Sequence, residues 1–235
     1  MGILNLTPDS FFESSRYNMD IFDSGADIVD IGAVSSRPGA PAVSRELEWS
    51  RLEPVLSALP TGKRISIDTT GSGIVRRAHA LIGNFIVNDI SAGEDDPEML
   101  STVAELGLPY IAMHKRGNPQ SMDRLTDYDD VVEDVMDYFR AFSLKAQDAG
   151  IQNWILDPGF GFAKNDWQNL SLLNNLERFK AFGRPVLVGI ADKRFAHGQT
   201  EKMHREAVLH GADILRVHDV RAARRTLEAL HQNCP

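Results

Sequence analysis

The sequence predicts a closed (β/α)8 barrel, and three observations lead there. Seven times along the chain, at Gly25, Gly62, Gly83, Gly107, Gly150, Gly183 and Gly211, a helix-compatible stretch ends at a glycine and a short β-branched run follows within a few residues. Glycine just past a helix end takes the left-handed conformation without a Cβ clash, and the runs have strand length and composition. With the run that opens the chain the strands number eight, each near-continuously apolar, as strands buried on both faces are. Eight such strands alternating with helices describe a parallel sheet rolled into a barrel. The competing arrangement is an open doubly wound sheet, but no G-x-G-x-x-G follows the first strand, which argues against its dinucleotide-binding version.

In chain order the predicted strands are residues 2–5 (GILN), 26–31 (ADIVDI), 64–68 (RISID), 84–88 (NFIVN), 109–113 (PYIAM), 153–157 (NWILD), 185–189 (PVLVG) and 212–217 (ADILRV). Helices are expected over residues 44–59, 74–82, 97–106, 128–149, 167–182, 201–210 and 221–231. The first crossover is defective. Only residues 16–24 separate the first loop from the second strand, room for two turns, whereas such a connection usually holds roughly ten or more helical residues.

A chain of 235 residues suffices for one domain, residues 1–235, with a real core. Apolar residues make up 43% and charged residues 25%, which rules out disordered, collagen-like and coiled-coil readings. A formal charge of −8 argues against nucleic acid and anionic membrane as partners, so any anionic ligand must be held by a local cluster of donors. The single cysteine, Cys234, excludes a disulfide framework and a thiolate metal site and fits a reducing, cytoplasmic setting. No apolar run approaches the roughly 20 residues that span a bilayer, and residues 1–5 do not open a signal peptide.

In a barrel of this kind, chemistry is built where strands end and βα loops begin. All eight ends carry polar or ionisable side chains. Strand one delivers Asn5 and the loop Thr7-Pro8-Asp9-Ser10-Phe11; strand two leads to Ser35-Ser36-Arg37-Pro38-Gly39. Asp68, Asn88 and His114 follow strands three, four and five, and strand six ends in Asp157-Pro158-Gly159-Phe160-Gly161-Phe162. Strand seven leads to Asp192-Lys193-Arg194, and strand eight to Arg216-Val217-His218-Asp219.

Each residue also has a plainer reading. Asp68 and Asp157 could be helix N-caps; Asn5 and Asn88 could satisfy loop backbone. His114 and His218 could be structural histidines. Arg37 and Arg216 could pair with nearby carboxylates, and Lys193 could belong to a solvated charge run. Taken together, however, these groups sort into two chemistries. Asp68, Asn88, Asp157 and Lys193 can ring a flat heterocycle with donors and acceptors, and two carboxylates suit the amidine-like edge of a 2-amino-4-oxo pyrimidine ring. Asn5, Ser36, Arg37, Arg216 and His218 come from strands that become neighbours on closure. They are donor-rich and suit a pyrophosphate, with Mg²⁺ on oxygen ligands such as Asn5. No H-E-x-x-H, cysteine or clustered-histidine pattern supports zinc.

The segments MGILNLTPDSF (1–11), DIVDIGAVSSRPG (27–39), ISIDT (65–69), VNDISAG (87–93), MHKRG (113–117), ILDPGFGF (155–162) and RVHDV (216–220) resemble the dihydropteroate synthase family, the pterin-binding barrels of folate biosynthesis. That resemblance implies condensation of para-aminobenzoate with 6-hydroxymethyl-dihydropterin pyrophosphate, with release of pyrophosphate, and sulfonamides as mimics of the acceptor. It implies that Asp68, Asn88, Asp157 and Lys193 hold the pterin, with Met113 and Arg216 packing on its faces. Asn5, Ser36, Arg37, Arg216 and His218 would bind pyrophosphate, Asn5 also meeting Mg²⁺. Pro38, Phe162 and Lys193 would frame the aminobenzoate, and the protein would be a homodimer.

Two features depart from the family pattern. Where the family has Ser-Arg-Lys-Ser after strand seven, this chain has Ala191-Asp192-Lys193-Arg194, which puts Arg194 where a serine meets the acceptor carboxylate. The arginine could take that carboxylate as an ion pair or fill its pocket. The seventh crossover, through residues 195–199, is also short for the family, as is the first. Two alternatives follow: a non-catalytic pterin-binding paralogue, and a pterin-dependent corrinoid methyltransferase. The second needs neither the Thr-Pro-Asp-Ser-Phe loop nor the Arg-x-His-Asp end, and this chain has both.

Overall fold

A computed structural model describes residues 1–7, 19–35, 37, 39–118, 120–191 and 193–232. Its eight strands are β1 (Gly2–Asn5), β2 (Ile28–Gly32), β3 (Arg64–Asp68), β4 (Ile86–Asp89), β5 (Tyr110–Met113), β6 (Trp154–Asp157), β7 (Leu187–Val188) and β8 (Ile214–Leu215). β1 to β6 pair in sequence order, all parallel, and β7 pairs with β8. Backbone bonds on either side of the short β7–β8 pair close the ring. Leu156 donates to Pro185 at 2.9 Å, Ile3 donates to Val217 at 3.0 Å, and Val217 donates to Met1 at 3.0 Å. The expected barrel therefore forms, although β7 and β8 are shorter than the predicted 185–189 and 212–217.

The helices are α1 (Arg45–Ser57), α2 (Ser72–Ile82), α3 (Met99–Leu106), α4 (Val131–Ala149), α5 (Asp166–Asn174), α6 (Thr200–Leu209) and α7 (Val220–Gln232). α4 shows why they form. Asp130 accepts from the backbone of Val132 and Glu133 at its start, Gly150 ends it in the left-handed conformation, and Val132, Val135, Met136, Phe139, Phe142 and Ala146 face the core at three- and four-residue spacing. The single helix expected over 167–182 is two pieces. α5 stops at Asn174, and a 3-10 helix, Leu176–Phe182, continues after Asn175, whose side chain bonds back to the Ser171 carbonyl and so ends the regular α ladder. In the first crossover the described helical structure is one short 3-10 helix, Met19–Asp23, and in the seventh a 3-10 turn, Arg194–Ala196, precedes α6. Both agree with shortened connections.

Strand parity organises the barrel interior. Side chains two apart share a face, so Ile28, Ile86, Ile111, Ile155, Leu187 and Ile214 meet inside the barrel with Met1 as one apolar layer. Two residues further along the same strands come Asp30, Asn88, Met113, Asp157, Gly189 and Arg216. The interior thus changes from aliphatic to polar over a single step of the pleat, about 7 Å.

Candidate active site

The polar layer floors a cavity of about 520 Å³ at the carboxyl ends of the strands. Asn5, Asp68, Asn88, Asp157, Lys193 and Arg216 line it, together with Arg37, Met113, Phe162, Arg194 and His218 of the set expected from sequence. Ser36 and Pro38, with the loop over residues 8–11 and Asp192, lie outside the described residues. Register explains part of this convergence. Asn5 pairs with Gly32, Gly32 with Asp68, and Asp68 with Asn88, so three polar ends and one glycine form a single lateral row across β1 to β4. A second row, Met113 beside Asp157, does the same for β5 and β6.

Arg216 is the hub. Its Nε donates to Asp30 Oδ2 at 2.7 Å and a terminal nitrogen to Asp68 Oδ2 at 2.9 Å, while Asn88 Nδ2 donates to the same Asp30 oxygen at 3.1 Å. Asp30 is fully buried and escaped the sequence reading, which attended to strand ends. The signal was available: Asp30 is a carboxylate in an aliphatic strand, on the inward parity of Ile28. With Asp30 Oδ2 on its Nε and Asp68 Oδ2 on a terminal nitrogen, the guanidinium is fixed by two carboxylates from neighbouring strands. The plainer reading of Arg216 as a carboxylate partner is thus correct, and the pairing orients it.

The N-cap readings of Asp68 and Asp157 do not hold. α2 starts at Gly71 without a side-chain cap, and α5 is capped by Asn165, whose amide and that of Gln168 form a reciprocal capping box. Asp157 instead accepts from the backbone of Gly159 at 2.8 Å and presents its carboxylate to the cavity. Burial pushes the Asp157 carboxyl up to about 6, against the downward pull of that bond and of Arg216 and Lys193. Burial likewise drives Asp68 upward, opposed by Arg216. Lys193 is no solvated charge: its ammonium lies 4.4 Å from the centroid of the Phe162 ring, and burial, with Arg216 nearby, brings it down to about 8.

A second missed residue is Lys164, which is buried and lines the cavity. Its three N–H donors are spent on His114 Nδ1 at 2.9 Å and on the carbonyls of Gly159 and Phe162, both at 3.0 Å. It thereby ties the turn after β6 to the end of β5. His114, packed edge-on to Tyr138 at 4.9 Å, is the structural histidine of the two. The approach is so close that a Cβ on Gly159, which has φ +72°, would sit 1.9 Å from the His114 carbonyl oxygen. Only glycine fits there.

The described residues hold no cluster of three acidic, histidine or cysteine side chains suited to a metal. Asn5 offers a single neutral oxygen at the cavity. That suits a hard divalent ion whose other ligands are phosphate oxygens and water, and does not suit zinc.

Comparison with known proteins adds the decisive observation. A sequence model of the family described as "Pterin binding enzyme" matches residues 1–218. The chain is 41% identical over 247 aligned positions to the dihydropteroate synthase of Synechocystis, covering 94% of this chain and 85% of that protein. It is 39% identical over 254 positions to that of Escherichia coli, covering 98% and 88%. This chain belongs to the dihydropteroate synthase family. Solved structures of dihydropteroate synthases share its fold. That of Yersinia pestis in a sulfonamide complex superposes with a TM-score of 0.92 at 32% identity, covering 99% of this chain and 92% of that one. That of Xanthomonas albilineans with 4-aminobenzoic acid gives 0.89 at 35%, covering 100% and 93%. Both alignments to synthase sequences are longer than this chain, so the relatives carry residues it lacks.

Proposed function

We propose that this chain condenses 6-hydroxymethyl-7,8-dihydropterin pyrophosphate with para-aminobenzoate to give 7,8-dihydropteroate and pyrophosphate. The observation that carries this reading is the joining of two complementary half-sites in one cavity of about 520 Å³. Asp68, Asn88, Asp157 and Lys193 present acceptors and donors to the pterin ring, while Met113 and the flat guanidinium of Arg216 provide its stacking faces. Asn5, Ser36, Arg37, Arg216 and His218 bind the pyrophosphate. Phe162, Lys193, Arg194 and Pro38 frame the aminobenzoate.

In the reaction the bond between the pterin methylene and the pyrophosphate oxygen breaks first, and the leaving group takes the electron pair. The cationic methylene is stabilised by the electron-rich pterin, whose ring the ionised Asp157 orients. Arg216 and His218 meet the growing negative charge on the departing oxygen. The aniline nitrogen then attacks, and the anilinium loses its proton to water, so no dedicated strong base is required. Orientation of two rings in one cavity supplies much of the rate. Asn5 would hold Mg²⁺, and the ion would supply further neutralisation of the leaving group's charge.

The reading extends to a cytoplasmic homodimer acting on small molecules, with no nucleic acid or membrane partner; no helix among the described residues is long and apolar enough to cross a membrane. The test is pyrophosphate release by the purified protein given the pterin pyrophosphate and Mg²⁺, with and without para-aminobenzoate. Release that depends on para-aminobenzoate is the expected outcome. Pterin binding without release identifies a non-catalytic paralogue.

A further inference from the structure

We propose that Arg194 reads the charge of the acceptor by exchanging carboxylates: the acceptor's carboxylate displaces Asp123, the side chain that holds the Arg194 guanidinium when no acceptor is present. The inference rests on the synthase reading and deepens it, because it names an internal competitor for one substrate group.

The geometry that supports it lies at the rim. A terminal nitrogen of Arg194 meets Asp123 Oδ1 at 3.1 Å, joining the turn after β7 to the 3-10 helix Met122–Arg124 after β5. The two side chains are 81% and 50% exposed, so solvent screens the pair and its hold is weak. The backbones on both sides are firmly anchored. Phe195 is buried and stacks on Phe160 at 6.0 Å, and Met122 is buried against Met113 and Phe162. A fixed backbone beneath a loosely paired, long side chain is the arrangement that lets a guanidinium swing between two partners. Arg194 also lines the cavity, one residue after Lys193, whose ammonium caps the Phe162 ring. An aromatic acceptor lying against Phe162 therefore presents its para substituent within the reach of Arg194. In that partly enclosed position a bidentate carboxylate holds the guanidinium better than a screened surface aspartate does.

The exchange predicts a coupling between two residues that no direct contact with the acceptor's ring would produce. The measurement is KM for para-aminobenzoate and for the uncharged 4-aminobenzamide, at saturating pterin pyrophosphate, in the intact protein and in Arg194→Ser, Asp123→Asn and the double variant. Arg194→Ser is expected to raise KM for para-aminobenzoate roughly tenfold or more, and that for the amide much less. Asp123→Asn, which frees the guanidinium, is expected to lower KM for para-aminobenzoate roughly twofold to threefold, as release from a weakly held surface pair allows, and to have no such effect in the Arg194→Ser background. Both positions are exposed, so the variants fold, and circular dichroism confirms it. Equal shifts for the charged and neutral acceptors, or an Asp123→Asn effect that persists without Arg194, overturn the exchange while leaving the synthase reading intact. Absence of dihydropteroate from the unaltered protein overturns both.

Discussion

The pterin-facing floor of the cavity and its acceptor-facing rim are built from the same kinds of charged side chain and behave oppositely. On the floor, Arg216 is clamped between Asp30 and Asp68, and Lys164 spends every donor on three acceptors. At the rim, Arg194 meets a single aspartate in solvent. Burial makes the difference. A buried charge cannot be left unpaired, so each floor residue is held in one geometry, which suits recognition of a rigid ring. An exposed pair has nearly the same free energy made or broken, which suits a site whose ligand must enter and leave.

Substitutions should reproduce that contrast, the largest effects on the floor. Arg216→Met leaves Asp30 and Asp68 as buried carboxylates without their counterion and removes charge stabilisation of the leaving group. Thermal or denaturant unfolding should show a loss of about 3–5 kcal/mol, and kcat/KM for the pterin pyrophosphate should fall about 10²- to 10³-fold. A fall in activity with unchanged stability would break the argument that Arg216 is held by a buried clamp.

Asp157→Asn sharpens the comparison because stability and activity should move in opposite directions. The folded carboxyl is raised to about 6 from an unfolded value near 3.8, so between those values the native state binds more protons and stability falls as pH rises. Above about 6 the carboxylate is a burden that the amide lacks. The variant should therefore gain about 1–3 kcal/mol at pH 8 and close to nothing at pH 4, while affinity for the pterin falls on the order of 10–100-fold. In the unaltered protein kcat/KM for the pterin substrate should decline as pH drops through about 6, since the protonated carboxyl no longer accepts from the ring. In the variant that limb should shrink to what Asp68, whose carboxyl burial also raises, contributes by itself.

Lys164→Met cuts the tie between the turn after β6 and the end of β5, since all three of its donors are spent on that tie. Steady-state kinetics should show KM rising roughly threefold to tenfold for both substrates, with a smaller change in kcat, because Gly159 and Phe162 lose their fixed positions. At the rim, Arg194→Ser should shift Tm by less than about 2 °C, as expected of a screened pair. A larger shift would make the rim as rigid as the floor.

Much of this site was legible in the chain. Asn5, Asp68, Asn88, Asp157, Lys193 and Arg216 stand at the ends of apolar runs, and barrel topology alone brings such ends to one face. Asp30 and Lys164 were not found, for different reasons. Asp30 lies inside a strand, so a reading confined to strand ends passed over it, although its parity with Ile28 in an otherwise aliphatic run marks it as inward. Lys164 follows a glycine-rich turn, and no local pattern shows that this turn folds back onto the His114 carbonyl. The split between α5 and the 3-10 helix after it was also invisible, since leucine spacing reads alike through both.

By itself, then, the order of residues determined the alternation of strand and helix, the barrel class, and which polar groups reach the mouth, because these depend on periodicity and on glycine stops that act within a few residues. Tertiary structure alone decided which charges pair. The Asp30–Arg216 contact joins residues 186 positions apart, and only closure of the ring through Val217 and Met1 brings β8 beside β1, so that the Arg216 side chain reaches β2. Once buried there, each charge had to find a partner, and that requirement gave the floor its single geometry.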